Sequence, residues 1–280
     1  MSYTDLHLHL LPGVDDGARD EQGSIEHATR MARSGVREAL VTPHVGHPQF
    51  PLDVSTIAAR TAALQATLDR AGVNVRLHSG GEIHPDVAMS LSAAELRAIS
   101  AGPPGSRWVL FEVPFAGVDD GFLAGCRAIR RHRFGLVIAH PERAAGLLDG
   151  GLALLRDELR AGAVLQINVC SLLGRHGDEA RDAAERLVRT GLAYVLASDG
   201  HPGTRTHTLA EGLAPAIAAG ASAVHAWQML EANPRFLLRH GLPTGPAAVP
   251  ARAWRARPDG GSLGAARLAR ARLPRRSARA

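Results

Sequence analysis

The chain has 280 residues, of which 45% are hydrophobic, with a formal net charge of +5 and only two cysteines, Cys126 and Cys170. This length is sufficient for one large domain with a sizeable core. Two cysteines exclude a disulfide framework or a thiolate metal site, and we expect both to be buried apolar residues. The chain contains no 18-residue apolar run. We therefore predict no membrane-spanning helix and expect a cytoplasmic protein.

The positive charge is concentrated at the C-terminal end of the sequence. Residues 250–280 contain nine arginines and one acidic residue, and removing this +8 from the total of +5 leaves about −3 for residues 1–249. We expect a folded domain over residues 1–249 and a disordered, arginine-rich tail over residues 250–280. The tail is either an electrostatic tether for an anionic surface or a solvated extension without a partner, and we predict no specific nucleic-acid recognition.

Short runs rich in leucine and β-branched residues alternate with longer amphipathic segments along the chain. This alternation predicts an α/β fold in which helices surround a parallel sheet or barrel. The seven predicted strands are YTDLHLH from Tyr3, REALVTPH from Arg37, VNVRLHSGGE from Val73, RWVLFEVP from Arg107, FGLVIAH from Phe134, AVLQIN from Ala163 and AYVLASDGH from Ala193. The predicted helices cover residues 22–33, 54–71, 119–131, 152–160, 178–190, 208–219 and 221–231.

Every predicted strand ends with a side chain that can bind a metal ion or hydrogen-bond to a ligand. In chain order these side chains are His7 and His9, His44, Glu82, Glu112, His140, Asn168, and Asp199 with His201. The carboxyl ends of the strands in a β/α barrel surround one mouth, where active sites are built. We therefore expect these residues to converge on a single pocket.

The segment DLHLHLLPGVDDG, which starts at Asp5, carries the densest group of ionisable residues. Because side chains alternate across a strand, His7 and His9 share one face and could bind one ion together. An H-x-H pair alone is a weak signal. The adjacent Asp15 and Asp16 follow in a glycine-bounded loop, where the alternative is a solvated turn with an aspartate capping a backbone amide.

Taken singly, each of these residues could be an ordinary core or loop residue. Taken together, they would bring five histidines and four carboxylates to one end of the strands, and divalent cations are the simplest means of stabilising such a cluster. Imidazole and carboxylate ligands without thiolates suit manganese, iron, zinc or magnesium, and the sequence does not distinguish among these metals.

The motifs DLHLHLLPGVDDG, TPH, GGEIHPD, LFEVP, AHPER and ASDGH, in this order, resemble those of the polymerase and histidinol phosphatase (PHP) superfamily. More narrowly, the chain is similar to the manganese-dependent bacterial tyrosine-protein phosphatases of capsule and exopolysaccharide loci, the CpsB/YwqE type. The resemblance extends from about Tyr3 to about Leu242. It implies a distorted seven-stranded (β/α) TIM-like barrel, the PHP fold, that holds three divalent metal ions, expected to be Mn²⁺.

The resemblance also implies roles for individual residues. His7, His9, Glu82, Glu112, His140 and Asp199 would bind a pair of metal ions bridged by Glu82, while Asp16, His44 and His201 would bind the third. Arg143 would contact the phosphate, so that Arg143, Asp199 and His201 form the predicted catalytic group. The sequence GHPGTR departs from the family pattern, because Pro202 stands where an asparagine is usual and Arg205 comes one position early. From this shifted position, Arg205 is the candidate for a second phosphate-binding residue.

The leading functional hypothesis is a metal-dependent phosphatase that hydrolyses phosphotyrosine on a protein, such as a bacterial tyrosine kinase that controls polysaccharide export. Its metal ions would activate a water molecule for attack on phosphorus. A second hypothesis is a PHP phosphatase for a small molecule such as histidinol phosphate. A third is a non-catalytic protein that binds through its basic tail. A thiol mechanism is not predicted, because CSLLGR from Cys170 lacks the spacing of the thiol phosphatases.

Overall fold

The structure is a computed structural model that describes residues 2–242. Within these residues the chain forms nine parallel-paired strands in an α/β arrangement. The predicted tail at residues 250–280 lies outside the described residues, so the domain boundary at residue 249 stays a prediction. The strands are β1 Tyr3–Leu8, β2 Val36–Val41, β3 His44–Val45, β4 Arg76–Ser79, β5 Glu82–Ile83, β6 Trp108–Glu112, β7 Gly135–Ala139, β8 Val164–Asn168 and β9 Ala193–Ala197.

The helices lie between the strands, as the alternating pattern predicted. Most predicted helices are present with shifted ends, and the predicted helix over residues 152–160 is divided in two at Leu155. Three short helices were not predicted, over Ala93–Ala98, Val169–Leu172 and Asn233–His240. The α-helices are α1 Glu21–Arg33, α2 Ile57–Arg70, α3 Ala93–Ala98, α4 Asp120–Arg131, α5 Leu152–Leu154, α6 Arg156–Arg160, α7 Val169–Leu172, α8 Asp178–Arg189, α9 Leu213–Ala218, α10 Ala223–Trp227 and α11 Asn233–His240.

The strands belong to two sheets, whereas we expected one distorted seven-stranded barrel. One sheet has the order β1-β2-β4 and the other has the order β3-β5-β6-β7-β8-β9. All seven predicted strands exist, but the second is divided into β2 and β3 and the third into β4 and β5. The two sheets therefore follow the strand order of the predicted barrel without closing into one ladder in the described residues.

Local sequence explains where the ladder is interrupted. Pro43, between β2 and β3, has no backbone N–H to donate to a neighbouring strand. Gly80 and Gly81 interrupt the paired strand at the same level, and a Cβ on Gly81 would lie 2.8 Å from the Val45 side chain. On the opposite side, an isolated bridge joins Leu8 of β1 to Gly200, which follows β9 in the chain. The α/β fold with parallel sheets is therefore confirmed, while the strands do not form a closed barrel within residues 2–242.

The two faces of the strands have different neighbours. Leucine, isoleucine and valine side chains on the outer face pack with the helices into the larger core cluster, which includes Phe111 stacked on Phe122 at 4.6 Å between ring centroids. Residues two apart on a strand share a face, so Leu110 lies on the same side of β6 as Glu112. Leu110 belongs to a second buried apolar cluster with Val137. The inner face is thus apolar along the strand and polar at its carboxyl end.

No helix within residues 2–242 has the combination of length and hydrophobicity that a membrane span requires. Cys126 and Cys170 are both buried and unpaired, as predicted.

Candidate metal centre

The nine predicted metal ligands converge at the carboxyl ends of the strands. They form four overlapping groups in which one ligand atom from each member lies within 4.8 Å of the others. The groups share members, so the nine side chains form one continuous cluster. The groups are His7, His9 and Glu82; His7, His140 and Asp199; Glu82, Glu112 and His140; and His9, Asp16, His44 and His201.

Glu82 lies at the middle of the buried part of this cluster. Its Oε2 atom is 3.2 Å from His7 Nε2 and 3.3 Å from His9 Nε2, while its Oε1 atom is 2.8 Å from His140 Nε2. The short strand β5 brings Glu82 to this position, and the preceding Gly81 allows the backbone to pass close to Val45. Glu82 Oε2 is also 3.2 Å from His44 Nδ1 of β3, so Glu82 is in contact with imidazoles from three other strands or strand ends.

The Nε2 atoms of His7 and His9 face each other at 3.2 Å, and both are 3.5 Å from Asp199 Oδ1. Burial alone would lower the pKa of both histidines. The negative charges of Glu82 and Asp199 nevertheless raise the pKa of His7, and those of Asp15 and Glu82 raise the pKa of His9 well above its usual value. This pocket thus carries a surplus of negative charge that favours a cation.

Glu112 is a further residue of the cluster that is surrounded by negative charge. Burial and then the negative charges of Glu82 and Asp199 raise the pKa of Glu112 to about 9. Burial would also raise the pKa of Glu82 and Asp199. The positive charges of His7 and other neighbouring groups nevertheless lower both pKa values below the usual range. Three buried carboxylates with oxygen and imidazole neighbours, and no thiolate among them, are a ligand set that fits divalent metal ions.

The fourth group lies closer to solvent. Asp16 Oδ1 is 3.1 Å from His201 Nε2 and 3.4 Å from His44 Nε2, and the Asp16 side chain is 46% exposed. The ring of His9 stacks on the ring of His201 at 4.0 Å between centroids. His9 therefore belongs to both the buried groups and the outer group.

Two of the cluster residues have unusual backbone conformations. His140 has a φ of 31° and Asp199 a φ of 48°, in the left-handed region that non-glycine residues seldom adopt. His140 is followed by a 3₁₀ turn over Pro141–Arg143, which returns the chain toward the pocket. Strain of this kind is typical of functional sites and here fixes the direction of both side chains.

A layer of hydrogen bonds, which the sequence did not predict, orients the histidines. The Nδ1 atom of His7 lies 2.9 Å from Gln166 Oε1, and because an amide oxygen only accepts, Nδ1 carries a proton and Nε2 faces the cluster. Gln166 Nε2 donates to Asn168 Oδ1 at 2.8 Å, and Asn168 Nδ2 donates to Asp199 Oδ2 at 2.7 Å. The sequence contained one signal for Gln166, because residues two apart on a strand share a face and Gln166 therefore lies on the same face of β8 as Asn168.

Asp15 has a similar orienting position. Its Oδ2 atom accepts a hydrogen bond from His9 Nδ1 at 2.8 Å, and its Oδ1 atom accepts one from the backbone N–H of Gly17 at 3.0 Å. The capped turn that was the alternative interpretation is therefore present. Unlike a solvated turn, however, the Asp15 side chain is buried, and it orients one of the predicted ligands.

Arg143 and Arg205 converge on the same carboxylate oxygen. Arg143 Nη1 is 3.4 Å and Arg205 Nη1 is 3.2 Å from Asp199 Oδ2. A tight turn, in which the backbone N–H of Arg205 donates to His201 O at 2.8 Å, folds Arg205 back over His201. Arg205 thus lies beside the cluster despite the shifted spacing and the proline at position 202.

Six cluster residues line a cavity of about 910 Å³ together with both arginines, namely Asp16, His44, Glu82, Glu112, His140 and Asp199. His47 and His84 also line this cavity. Phe50 and Phe115 add aromatic surface. Cys170 is 2% exposed and does not line the cavity, and burial raises the pKa of its thiol, so a thiolate nucleophile has no support.

Imidazoles and carboxylates that meet at the carboxyl ends of parallel strands are typical of the active sites of metal-dependent hydrolases. The model of the family described as "Capsular polysaccharide synthesis, CpsB/CapC" matches residues 3–239. The chain therefore belongs to the CpsB/CapC family.

Similar proteins agree with this membership. The tyrosine-protein phosphatase YwqE of Bacillus subtilis is 29% identical over 199 residues, and the putative tyrosine-protein phosphatase CapC of Staphylococcus aureus is 27% identical over 199 residues. Each alignment covers 70% of this chain and 76% of the relative. A solved structure described with YwqE of B. subtilis and CpsB of Streptococcus pneumoniae, "unique metal-dependent tyrosine phosphatases", has a TM-score of 0.72 at 26% identity and covers 87% of this chain and 97% of its own.

The phosphotriesterase homology protein of Escherichia coli, at 15% identity and a TM-score of 0.53, shares the fold; the match covers 83% of this chain and 97% of that one.

Proposed function

We propose that the chain is a metal-dependent phosphomonoesterase that hydrolyses phosphotyrosine on a protein. The observation that carries the proposal is the meeting of two arginines, Arg143 and Arg205, with the cluster of imidazoles and carboxylates at Asp199. A phosphate monoester carries negative charge, which these guanidinium groups can neutralise while the cluster binds cations. The names of the similar proteins support tyrosine phosphate as the substrate class.

The nine clustered residues would hold three divalent ions, and we propose Mn²⁺. His7, His9, Glu82, Glu112, His140 and Asp199 would bind two of them, and Asp16, His44 and His201 the third. Ions bound there would act as Lewis acids and lower the pKa of water, which supplies the nucleophile for phosphoryl transfer. Gln166 and Asp15 would keep the Nε2 atoms of His7 and His9 turned toward the ions.

The cationic side chains of the protein would bind the phosphate group. Arg143 and Arg205 would hold its non-bridging oxygens and offset the charge of the transferring phosphoryl group. The leaving tyrosine phenolate has a pKa of about 10, so its departure depends less on a general acid than that of an alkoxide. This chemistry is consistent with a site in which we assign no proton donor to the leaving group.

We propose that the natural substrate is a tyrosine-phosphorylated protein, such as a bacterial tyrosine kinase that regulates polysaccharide export. The description of the family, capsular polysaccharide synthesis, supports this pairing. We further propose that the enzyme acts in the cytoplasm, that residues 1–249 contain the whole catalytic domain, and that the arginine-rich tail over residues 250–280 contacts an anionic surface.

Hydrolysis assays with Mn²⁺ test the proposal. The full chain should hydrolyse a phosphotyrosine peptide much faster than histidinol phosphate, and EDTA should abolish turnover. His9→Ala and Asp199→Ala should each remove activity while the protein stays folded. His132→Ala is the matched control, because His132 is exposed at the end of α4 and does not line the cavity. Faster turnover of histidinol phosphate, or full activity in Asp199→Ala, would refute the proposal.

A further inference from the structure

Phe115 is an aromatic residue whose position is explained neither by the core nor by the metal-ligand cluster. It is 50% exposed, yet it lines the same cavity as Glu112, His140 and Arg143. Scattered exposed apolar residues are ordinary on protein surfaces. Phe115 differs from these because it lies inside the site and contacts one of its cationic groups.

The contact is with Arg143. The guanidinium carbon of Arg143 lies 4.3 Å from the centroid of the Phe115 ring and above its face. The same guanidinium group is 3.4 Å from Asp199 Oδ2 through its Nη1 atom. Phe115 therefore lies next to the group that would hold a phosphate, and the exposed half of Phe115 adjoins whatever that phosphate is attached to.

The backbone holds Phe115 in this position. Phe115 lies three residues beyond the end of β6 and directly after Pro114. The N–H of Gly117 donates to Pro114 O at 3.0 Å and forms a turn. The N–H of Ala145 donates to Phe115 O at 2.9 Å, which ties the Phe115 loop to the segment that carries Arg143. Gly117 has a φ of 122°, and a Cβ there would lie 3.0 Å from Ala145 O, so this loop approach requires glycine. The ring is therefore presented by a fixed loop.

The other two phenylalanines that line the cavity, Phe50 and Phe122, each stack on a neighbouring ring. Phe50 stacks on His47 at 4.7 Å and on His44 at 5.7 Å between centroids. The nearest ring to Phe115 is that of His140, at 5.9 Å and tilted. Phe115 is consequently the ring beside Arg143 that has aromatic surface available for a ligand.

We propose that Phe115 is a specificity-determining residue that binds the aryl group of an aryl phosphate whose phosphate contacts Arg143. This inference rests on the proposed function and adds the part of the site that would distinguish phosphotyrosine from phosphoserine or inorganic phosphate. An aromatic pair contributes an affinity difference of about 2- to 10-fold. The alternative is that Phe115 only positions Arg143, in which case it affects every phosphate equally.

Inhibition by non-hydrolysable analogues separates the two roles. Inhibition constants for phenylphosphonate, methylphosphonate and inorganic phosphate are measured with the Mn²⁺-loaded full chain and with Phe115→Leu and Phe115→Tyr. Phe115→Leu should weaken phenylphosphonate binding by about 2- to 10-fold and leave the other two constants unchanged. Phe115→Tyr should keep the preference for phenylphosphonate. Trp227→Leu, at a 40% exposed aromatic residue that does not line the cavity, is the matched control and should change none of the three constants.

An equal loss for all three ligands in Phe115→Leu, or no loss for phenylphosphonate, would overturn the proposal. Because Phe115 is half-exposed, its replacement should leave the thermal unfolding temperature close to that of the parent chain. If the parent chain hydrolyses no phosphate ester, the proposed function fails, while calorimetric binding of phenylphosphonate and methylphosphonate to the same variants still tests the role of Phe115.

Discussion

Replacing Asp15 with alanine tests whether the hydrogen bonds behind the histidines set the metal affinity. Asp15 is not among the four groups of clustered ligand atoms, but it accepts a hydrogen bond from His9 Nδ1 at 2.8 Å. His9 belongs to both a buried group and the outer group. Burial would raise the pKa of Asp15, but the positive charge of His9 lowers it below its usual value, so Asp15 is ionised at neutral pH.

Loss of such an orienting carboxylate typically lowers metal affinity by about 10- to 100-fold, or about 1.4–2.7 kcal/mol. Asp15→Ala should also destabilise the metal-free protein, because the backbone N–H groups of Gly17 and His44 lose their acceptor. That second effect should amount to about 1–3 kcal/mol for buried donors left unsatisfied. The two effects are separable, since only the first depends on the Mn²⁺ concentration.

Isothermal titration with Mn²⁺ measures the first effect, and chemical unfolding in EDTA measures the second. Asp15→Asn retains the size of the side chain and should fall between the parent chain and Asp15→Ala. Asp16→Ala, at the adjacent position, removes a predicted ligand of the outer group alone and should spare the buried sites. If Asp15→Ala binds Mn²⁺ as tightly as the parent chain, the hydrogen bond to His9 does not control metal binding and the reasoning fails.

Three further predictions concern phosphate binding, the nucleophile and acid stability. Arg143→Ala should retain Mn²⁺ binding in calorimetry but raise the inhibition constant of inorganic phosphate by about 10-fold or more, because a charge-assisted contact to the phosphate is lost. Cys170→Ser should keep its turnover of a phosphotyrosine peptide, and iodoacetamide should leave the parent chain active, since the thiol is buried; loss of activity in either case would indicate a thiol mechanism. Neither ring nitrogen of His27 has a hydrogen-bond partner within residues 2–242, and burial, followed by the charge of Arg30, lowers its pKa to about 4. Between about pH 6.5 and pH 4 the unfolded chain therefore binds a proton that the folded chain does not, which costs on the order of 3 kcal/mol of unfolding free energy as the pH falls. His27→Leu should remove this part of the acid sensitivity in urea unfolding at pH 7 and pH 4.5, and an unchanged pH dependence would contradict it.

The positions of the strands could be predicted because buried parallel strands are continuous apolar runs. FGLVIAH corresponds to β7 Gly135–Ala139 and AVLQIN to β8 Val164–Asn168 within one or two residues. The division of the second and third strands was not predicted. It depends on Pro43 and on the approach of Gly81 to Val45, a contact between different segments of the chain. Local apolar patterns do not contain that information.

The site was predictable to the extent that it consists of strand ends. His44 and His140 were recognisable because an apolar run stops at each of them, and the structure brings both to the cluster. Gln166 was missed because it lies inside the run AVLQIN and its contact with His7 joins residues 159 positions apart. The role of Phe115 was missed for a similar reason, since a loop phenylalanine has no meaning until Arg143 is known to lie over its ring.

The two arginines alone do not balance the negative charge of the buried carboxylates in the cluster. Arg143 and Arg205 both contact Asp199, whereas among residues 2–242 the cationic partners of Glu82 and Glu112 within salt-bridge distance are all imidazoles. Burial lowers the pKa of His140, the imidazole beside Glu112, to about 4, so at neutral pH it is uncharged and does not balance Glu112. Divalent ions would supply that balance and leave the N–H groups of the two arginines for a ligand. Glu112, at the end of the apolar strand β6, therefore lowers the stability of the cation-free protein. Its side chain has a favourable role only when a cation is bound.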